Sequence, residues 1–199
     1  YLRDEFQAVA VRQLDIEQNH IDRQPVQQGK PLLQTVRCGG FMAVGTPERV
    51  VNEIVRQGKR DLTVIANDTA TPATGIGKLV AAKLLRKVVT SHIGLNPETQ
   101  RQMMAGELEV ELVPQGNLAE RIRAAGAGIG AFFTPTGYGT DLAQGKEVRD
   151  IRGRMYVLEH PIHADFALVK AERGDRWGNL TYRMTARNFG PVMAMAAKT

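Results

Sequence analysis

Apolar positions along the chain fall into two alternating patterns. Short, mostly apolar runs at residues 62–66, 87–91 and 110–113 read as buried strands bounded by polar or turn-forming residues. Residues 164–169 and 192–197, apolar on both faces, read as two more. Between these runs the spacing turns helical. Residues 47–57 place Val50, Val51, Ile54 and Val55 on one face, and Gly58 marks the stop. Residues 97–105 open with Asn96 as cap and Pro97 in the first turn, and stop at Gly106. Residues 118–125 open at Asn117 with Glu120 three positions on, a capping-box pattern, and stop at Gly126. Apolar strands separated by helices need cover on both sides. The predicted fold is α/β: an open, mostly parallel sheet with helices on both faces.

Other segments carry weaker patterns. Residues 127–140 are rich in glycine around a short apolar strand, and residues 147–158 read as a polar hairpin turning at Arg152-Gly153. The first 37 residues are glutamine-rich with little periodicity. Leu2 to Leu14 suits a helix, and residues 33–37 make a poor buried strand.

With 199 residues the chain is expected to form a single domain, residues 1–37 being its atypical part. It holds no apolar run long enough for a membrane helix and no secretory signal pattern. Cys38 is the sole cysteine, which excludes an internal disulfide and makes a cytoplasmic setting the expectation. The net charge of +5 raises the question of nucleic acid. Basic residues are mixed with 21 acids and aromatics reach only 6%, too few for a stacking platform, so no nucleic-acid partner is expected. The densest basic stretch, Lys78 to Lys87, fits a helix C-terminus, where cations complement the dipole. His160 and His163 straddle Pro161 without accompanying ligands, so no metal site is expected.

The segment Gly39-Gly40-Phe41-Met42-Ala43-Val44-Gly45-Thr46-Pro47 is a glycine loop feeding a helix, with Thr46 as N-cap and Pro47 as first helical residue. Such a start presents N–H groups to carboxylates, phosphates or thiolates. Its spacing is not the dinucleotide fingerprint.

Several motifs resemble the α subunit of the two-subunit, family I CoA-transferases of the acetate and 3-oxoacid type. They are Gly39-Gly40-Phe41, Gly45 and Pro47; Ile65-Ala66-Asn67-Asp68-Thr69-Ala70; Ser91-His92-Ile93-Gly94 with Asn96-Pro97; the run from Leu112 to Arg123; Phe132-Phe133-Thr134-Pro135-Thr136-Gly137; and Asp175 with Gly178-Asn179-Leu180-Thr181-Tyr182. Shared order and spacing over about four-fifths of the chain carry the resemblance. The polar segment before Gly39 departs from the family pattern, and the family continues past the point where this chain stops, which suggests truncation.

The resemblance implies transfer of CoA between a short-chain acyl-CoA (acetyl-, acetoacetyl- or butyryl-CoA) and a free carboxylate, through a glutamyl-CoA thioester. The family's nucleophilic glutamate lies in a Ser-Glu-Asn-Gly motif on the β subunit. That motif is absent here, so no catalytic nucleophile is expected on this chain. A β subunit is the implied partner, in a heterotetramer or larger, with no cofactor beyond CoA and acyl-CoA as substrates. Gly39, Gly40, Phe41, Gly45, Asn67, Gln115 and Gly116 are the candidate substrate-binding or oxyanion-supporting residues. Each has a plainer reading. Asn67-Asp68 also suits a turn, Gln115-Gly116 a strand-to-helix loop, the double glycine tight packing, and His92 a hydrogen-bonded structural residue. A sugar-phosphate-binding or isomerase-type domain of the same general fold is the alternative function.

Overall fold

A computed structural model describes residues 7–8, 35–38 and 43–198. In chain order β1 (Gln7–Ala8) and β2 (Thr35–Cys38) precede helix α1 (Glu48–Gln57). Next come β3 (Leu62–Ile65), α2 (Gly77–Ala81), β4 (Leu85–Thr90), α3 (Pro97–Met104), β5 (Glu109–Leu112) and α4 (Gln115–Gly126). Three strands, β6 (Phe132–Thr134), β7 (Val148–Ile151) and β8 (Arg154–Glu159), form a separate antiparallel sheet. The chain then returns through β9 (Phe166–Lys170), a small hairpin of β10 (Arg173–Gly174) and β11 (Leu180–Thr181), and α5 (Gly190–Met195).

The main sheet runs β1-β9-β2-β3-β4-β5, with β9 through β5 mutually parallel and β1 antiparallel at the edge. Successive residues of a strand point to opposite faces, and that alternation builds two cores. Leu62, Val64 and Val88 join Val50, Val51 and Ile54 of α1 and Leu79 and Val80 of α2 on one face. Ile65 and Val89 join Leu118 and Ile122 of α4 and Met193 of α5 on the other. Both faces are covered, as the apolar strands required. Among the described residues no helix is long and apolar enough to cross a membrane.

Local signals hold where the deciding contacts are local. α1 ends at Gly58 in the left-handed conformation, and Asn96 caps α3 by accepting from the Thr99 N–H at 3.2 Å. The 147–158 hairpin turns where expected.

Elsewhere tertiary contacts overrule them. Residues 192–197, read as a strand, lie mostly in α5. An all-apolar run serves a buried helix equally well, and Pro191 in the first turn with Met193 packed against α4 favours it. α4 begins at Gln115, not after Asn117. Asn117 is buried and donates instead to Glu159 Oε1 at 3.2 Å, while Glu120 pairs with Arg123. α1 begins at Glu48, with Pro47 at the N-cap and no side-chain cap hydrogen bond. The polar segment at 33–37 contributes β2, between β9 and β3. Asp165 fixes it there, accepting from the Thr35 N–H through Oδ2 and returning its own N–H to the Thr35 carbonyl, both at 3.0 Å. Of the proposed 2–14 helix, Gln7 and Ala8 are extended against β9, and its other residues lie outside the described ones.

The basic stretch spans the C-terminus of α2, with Lys78 in its last turn, and runs on into β4, where its later members meet acids. Lys83 pairs with Glu107, and Lys87 bridges Glu109 and Glu111 at 2.8 Å each. Arg121 meets Glu111 at 3.1 Å, linking α4 to β5. Burial pushes the Glu111 carboxyl up, but hydrogen bonds from Lys87 and Arg121 outweigh it, and the net displacement is downward. Glu159, almost wholly buried, anchors the small sheet to α4 through Asn117 and also pairs with Lys146, just before β7, at 2.7 Å.

Two predictions test this framework. A methyl group at Gly77 would stand 1.8 Å from the Thr71 carbonyl oxygen, whereas one at Gly130 meets nothing within 4 Å. Gly77→Ala should therefore cost upwards of about 3 kcal/mol in urea unfolding, with Gly130→Ala near neutral. A carboxyl whose folded pKa is depressed adds stability that is complete above its unfolded value and is lost as pH falls through the folded one. Stability should thus decline below about pH 4.5, and Glu111→Gln should flatten part of that acid limb while lowering Tm at pH 7 by roughly 2–4 °C.

Candidate functional site

Parallel strands bring their carboxyl ends to one edge, and open α/β sheets bind ligands there. The ladder runs on past the strand ends. The Ala66 N–H donates to Val89 O at 3.1 Å, the Ser91 N–H to Asn67 O at 3.0 Å, and the Val113 N–H to Thr90 O at 2.9 Å. Asn67, Ser91 and Gln115, which follow three neighbouring strands, are thereby drawn together.

Asn67 is fully buried at the centre of this group. Its main-chain oxygen also accepts from Ser91 Oγ at 2.7 Å and Thr90 Oγ1 at 3.0 Å. Its side-chain Oδ1 accepts from Gln115 Nε2 at 2.7 Å and Ser91 Oγ at 3.2 Å. Nδ2 donates to Asp68 Oδ2 at 3.3 Å, and Asp68 Oδ1 accepts from the Ala70 N–H at 2.8 Å. Asn67 therefore lies beneath the surface, and Gln115, which is exposed, carries the outward carboxamide.

Gln115 is also the first residue of α4, after Pro114. The first N–H groups of a helix lack intrahelical acceptors and carry the positive end of its dipole. The first helical bond runs from the Leu118 N–H to Pro114 O, leaving the Gln115, Gly116 and Asn117 N–H groups at the open end. Gly116 is exposed, and a side chain there would touch nothing within 4 Å. A carboxamide donor beside a helix N-terminus can stabilise negative charge on a bound oxygen.

The loop after Asp68 is held by buried polar contacts. Asn96 Nδ2 donates to Thr69 O at 2.9 Å, and the Thr69 and Thr99 hydroxyls meet at 3.1 Å. Gly45 has φ of +82°, and a Cβ there would lie 2.9 Å from Ala186 O. The end of the glycine loop is thus seated on the Met184–Arg187 turn, where Asn188 Nδ2 donates to Val44 O at 3.3 Å. Gly39, Gly40 and Phe41 lie outside the described residues.

Asn67 and Gln115 are joined directly, with Gly116 beside them. His92, on the neighbouring tip, forms an isolated bridge with Asp68. Sequence reasoning passed over two participants, Ser91 and Asp68. Ser91 is the sole serine in the chain and follows an apolar strand, but only the ladder to Asn67 gives its hydroxyl a partner.

The sequence profile of the coenzyme A transferase family matches residues 34–199. The chain is 58% identical to one subunit of the 3-oxoadipate CoA-transferase of Pseudomonas putida, over 83% of its own length and 72% of that protein. It is 54% identical to the alpha subunit of the acetate CoA-transferase of Escherichia coli K12, over 82% of this chain and 74% of the relative. Glutaconate CoA-transferase from Acidaminococcus fermentans shares the fold, with a TM-score of 0.71 at 19% identity over 83% of this chain and 59% of that one. These matches do not favour the sugar-phosphate alternative. With its strand-tip site and these relatives, the chain belongs to the coenzyme A transferase family and aligns with members of the alpha type.

Proposed function

We propose that this chain is the α half of a two-subunit enzyme that moves CoA between a short-chain acyl-CoA and a free acid, acetate, acetoacetate or butyrate among them. The observation that carries the reading is the 2.7 Å bond from Gln115 Nε2 to Asn67, which holds an exposed carboxamide at the mouth of α4.

In this reading a glutamate of the β chain attacks the thioester carbonyl. The C–S bond breaks, giving an acyl-glutamyl anhydride and CoA thiolate. The thiolate attacks the glutamyl carbonyl, releases the first acid and leaves glutamyl-CoA. The acceptor carboxylate reverses the sequence. Each addition puts negative charge on a carbonyl oxygen, and the second Nε2–H of Gln115, with the Gly116 N–H, is suited to receive it. Asn67 acts from below by holding Gln115. Gly39, Gly40, Phe41 and Gly45 belong to the family motif, and on that ground we assign them to substrate binding. No resident cofactor is needed, since CoA enters and leaves as substrate. The working assembly is a heterotetramer or larger in the cytoplasm.

The Pseudomonas putida relative is named for 3-oxoadipate, which makes a dicarboxylic 3-oxoacid the second reading of the acceptor. Apolar pockets discriminate a single methylene by only about 1–3 kcal/mol. Comparing kcat/KM for acetate, acetoacetate and 3-oxoadipate as acceptors separates the two.

The purified chain should show no transfer by thioester-exchange assay, and adding the β subunit should produce it. Transfer by the chain alone at the rate of the pair would place the nucleophile here and defeat the reading. In the assembled enzyme Gln115→Ala should lower kcat roughly 10²–10³-fold, the scale of one lost oxyanion donor, with assembly intact by size-exclusion chromatography.

A further inference from the structure

We propose that Asp68 is a positioning residue that sets which way Gln115 points, acting through Asn67. The inference rests on the reading of Gln115 as an oxyanion donor and concerns what fixes its orientation.

A primary carboxamide presents an acceptor oxygen on one side and a donor nitrogen on the other, and the two are nearly equal in size. Packing alone therefore does little to choose between an Asn or Gln and its flipped form. Direction must come from a neighbour that cannot reverse. In the group around Asn67, Ser91 does not supply it, because its single proton is shared between the Asn67 main-chain oxygen at 2.7 Å and Oδ1 at 3.2 Å, and the same hydroxyl oxygen can also accept. Gln115 cannot either, being itself a carboxamide.

Asp68 can. As a carboxylate it only accepts. It is buried, and both oxygens receive donors: Oδ1 takes the Ala70 N–H at 2.8 Å and Oδ2 takes Asn67 Nδ2 at 3.3 Å. Asn67 must therefore turn its nitrogen to Asp68, which sends Oδ1 toward Ser91 and Gln115. Facing an acceptor at 2.7 Å, Gln115 must turn Nε2 inward and hold its second N–H in one direction. With Asn67 reversed, Gln115 would reverse too. Its carbonyl oxygen would then stand where the amide nitrogen does, presenting an acceptor to a developing oxyanion.

The test is a double-mutant cycle in the assembled two-subunit enzyme, with acetoacetyl-CoA as donor and acetate as acceptor. Asp68→Asn keeps the shape but can itself flip. Asp68→Ser keeps an acceptor for the Ala70 N–H but can also donate. Each should lower kcat about 10-fold, with the KM for acetoacetyl-CoA within about two-fold of wild type. Combined with Gln115→Ala, Asp68→Asn should add no further loss, because nothing is left to orient. A merely structural role would instead multiply the two losses. Three results overturn the proposal: wild-type kcat in both Asp68 variants, penalties that multiply, or failure of both variants to assemble, which would assign Asp68 to the fold. Wild-type kcat in Gln115→Ala alone would instead remove the oxyanion reading beneath it.

Discussion

The carboxyl edge of the sheet depends on one main-chain carbonyl. Asn67 O receives the Ser91 N–H, the Ser91 hydroxyl and the Thr90 hydroxyl, so the β3 and β4 tips stay in register beyond the strands themselves. Chains leaving a sheet edge normally diverge, because their next hydrogen bonds are made in separate loops. Here the tie delays that divergence long enough for the Asn67 side chain to meet a residue 48 positions further on, Gln115. The Thr90 carbonyl accepts from the Val113 N–H, which continues the parallel ladder on the other side. Three loops of different length thereby share a single reference point.

The scaffold beneath is built to hold that point still. Two cores, one on each face, grip the central strands between α1 and α2 on one side and α4 and α5 on the other. Close-packed interiors leave side chains little room to shift, so strands held on both faces keep their ends in place. The loop after β3 passes so near Gly77 that a side chain has no room, and the buried Glu159 fixes the small antiparallel sheet to the helix that begins at Gln115. The support of Gln115 thus comes from three directions: strand tips, helix start and accessory sheet.

Burial separates the roles of the two amides. Asn67 has no solvent contact and its oxygen is occupied by protein donors, so its effect outward must pass through a neighbour. Gln115 stands exposed with one N–H used inward. A donor that is already held need not be ordered when charge develops, which is what makes preorganised sites effective. In the proposed function this edge receives negative charge, as half of a site whose nucleophile arrives on another chain.

Much of this fold is written in short stretches. The buried runs at β3, β4 and β5, the amphipathic face of α1 with its terminal glycine, and the Asn96-Pro97 start of α3 are legible because a residue and its deciding partner lie within a few positions of each other. Asn67 and Gln115 were legible as strand-end residues, and the ordered motifs identified the family. The rest required distant contacts. β2 is polar in sequence yet sits inside the sheet because Asp165, 130 residues away, accepts its first N–H. Residues 192–197 had a strand's composition and became part of a helix because α4 offered a matching face. Asn117 had the sequence of a cap, but Glu159 claimed it. The amino-acid sequence by itself determined which segments are strand or helix wherever periodicity and capping agree, since those are governed by neighbours along the chain. Only the tertiary structure decided that Ser91, Asp68, Asn67 and Gln115 form one hydrogen-bonded group, because which donor faces which acceptor is fixed by how separate strands end beside one another.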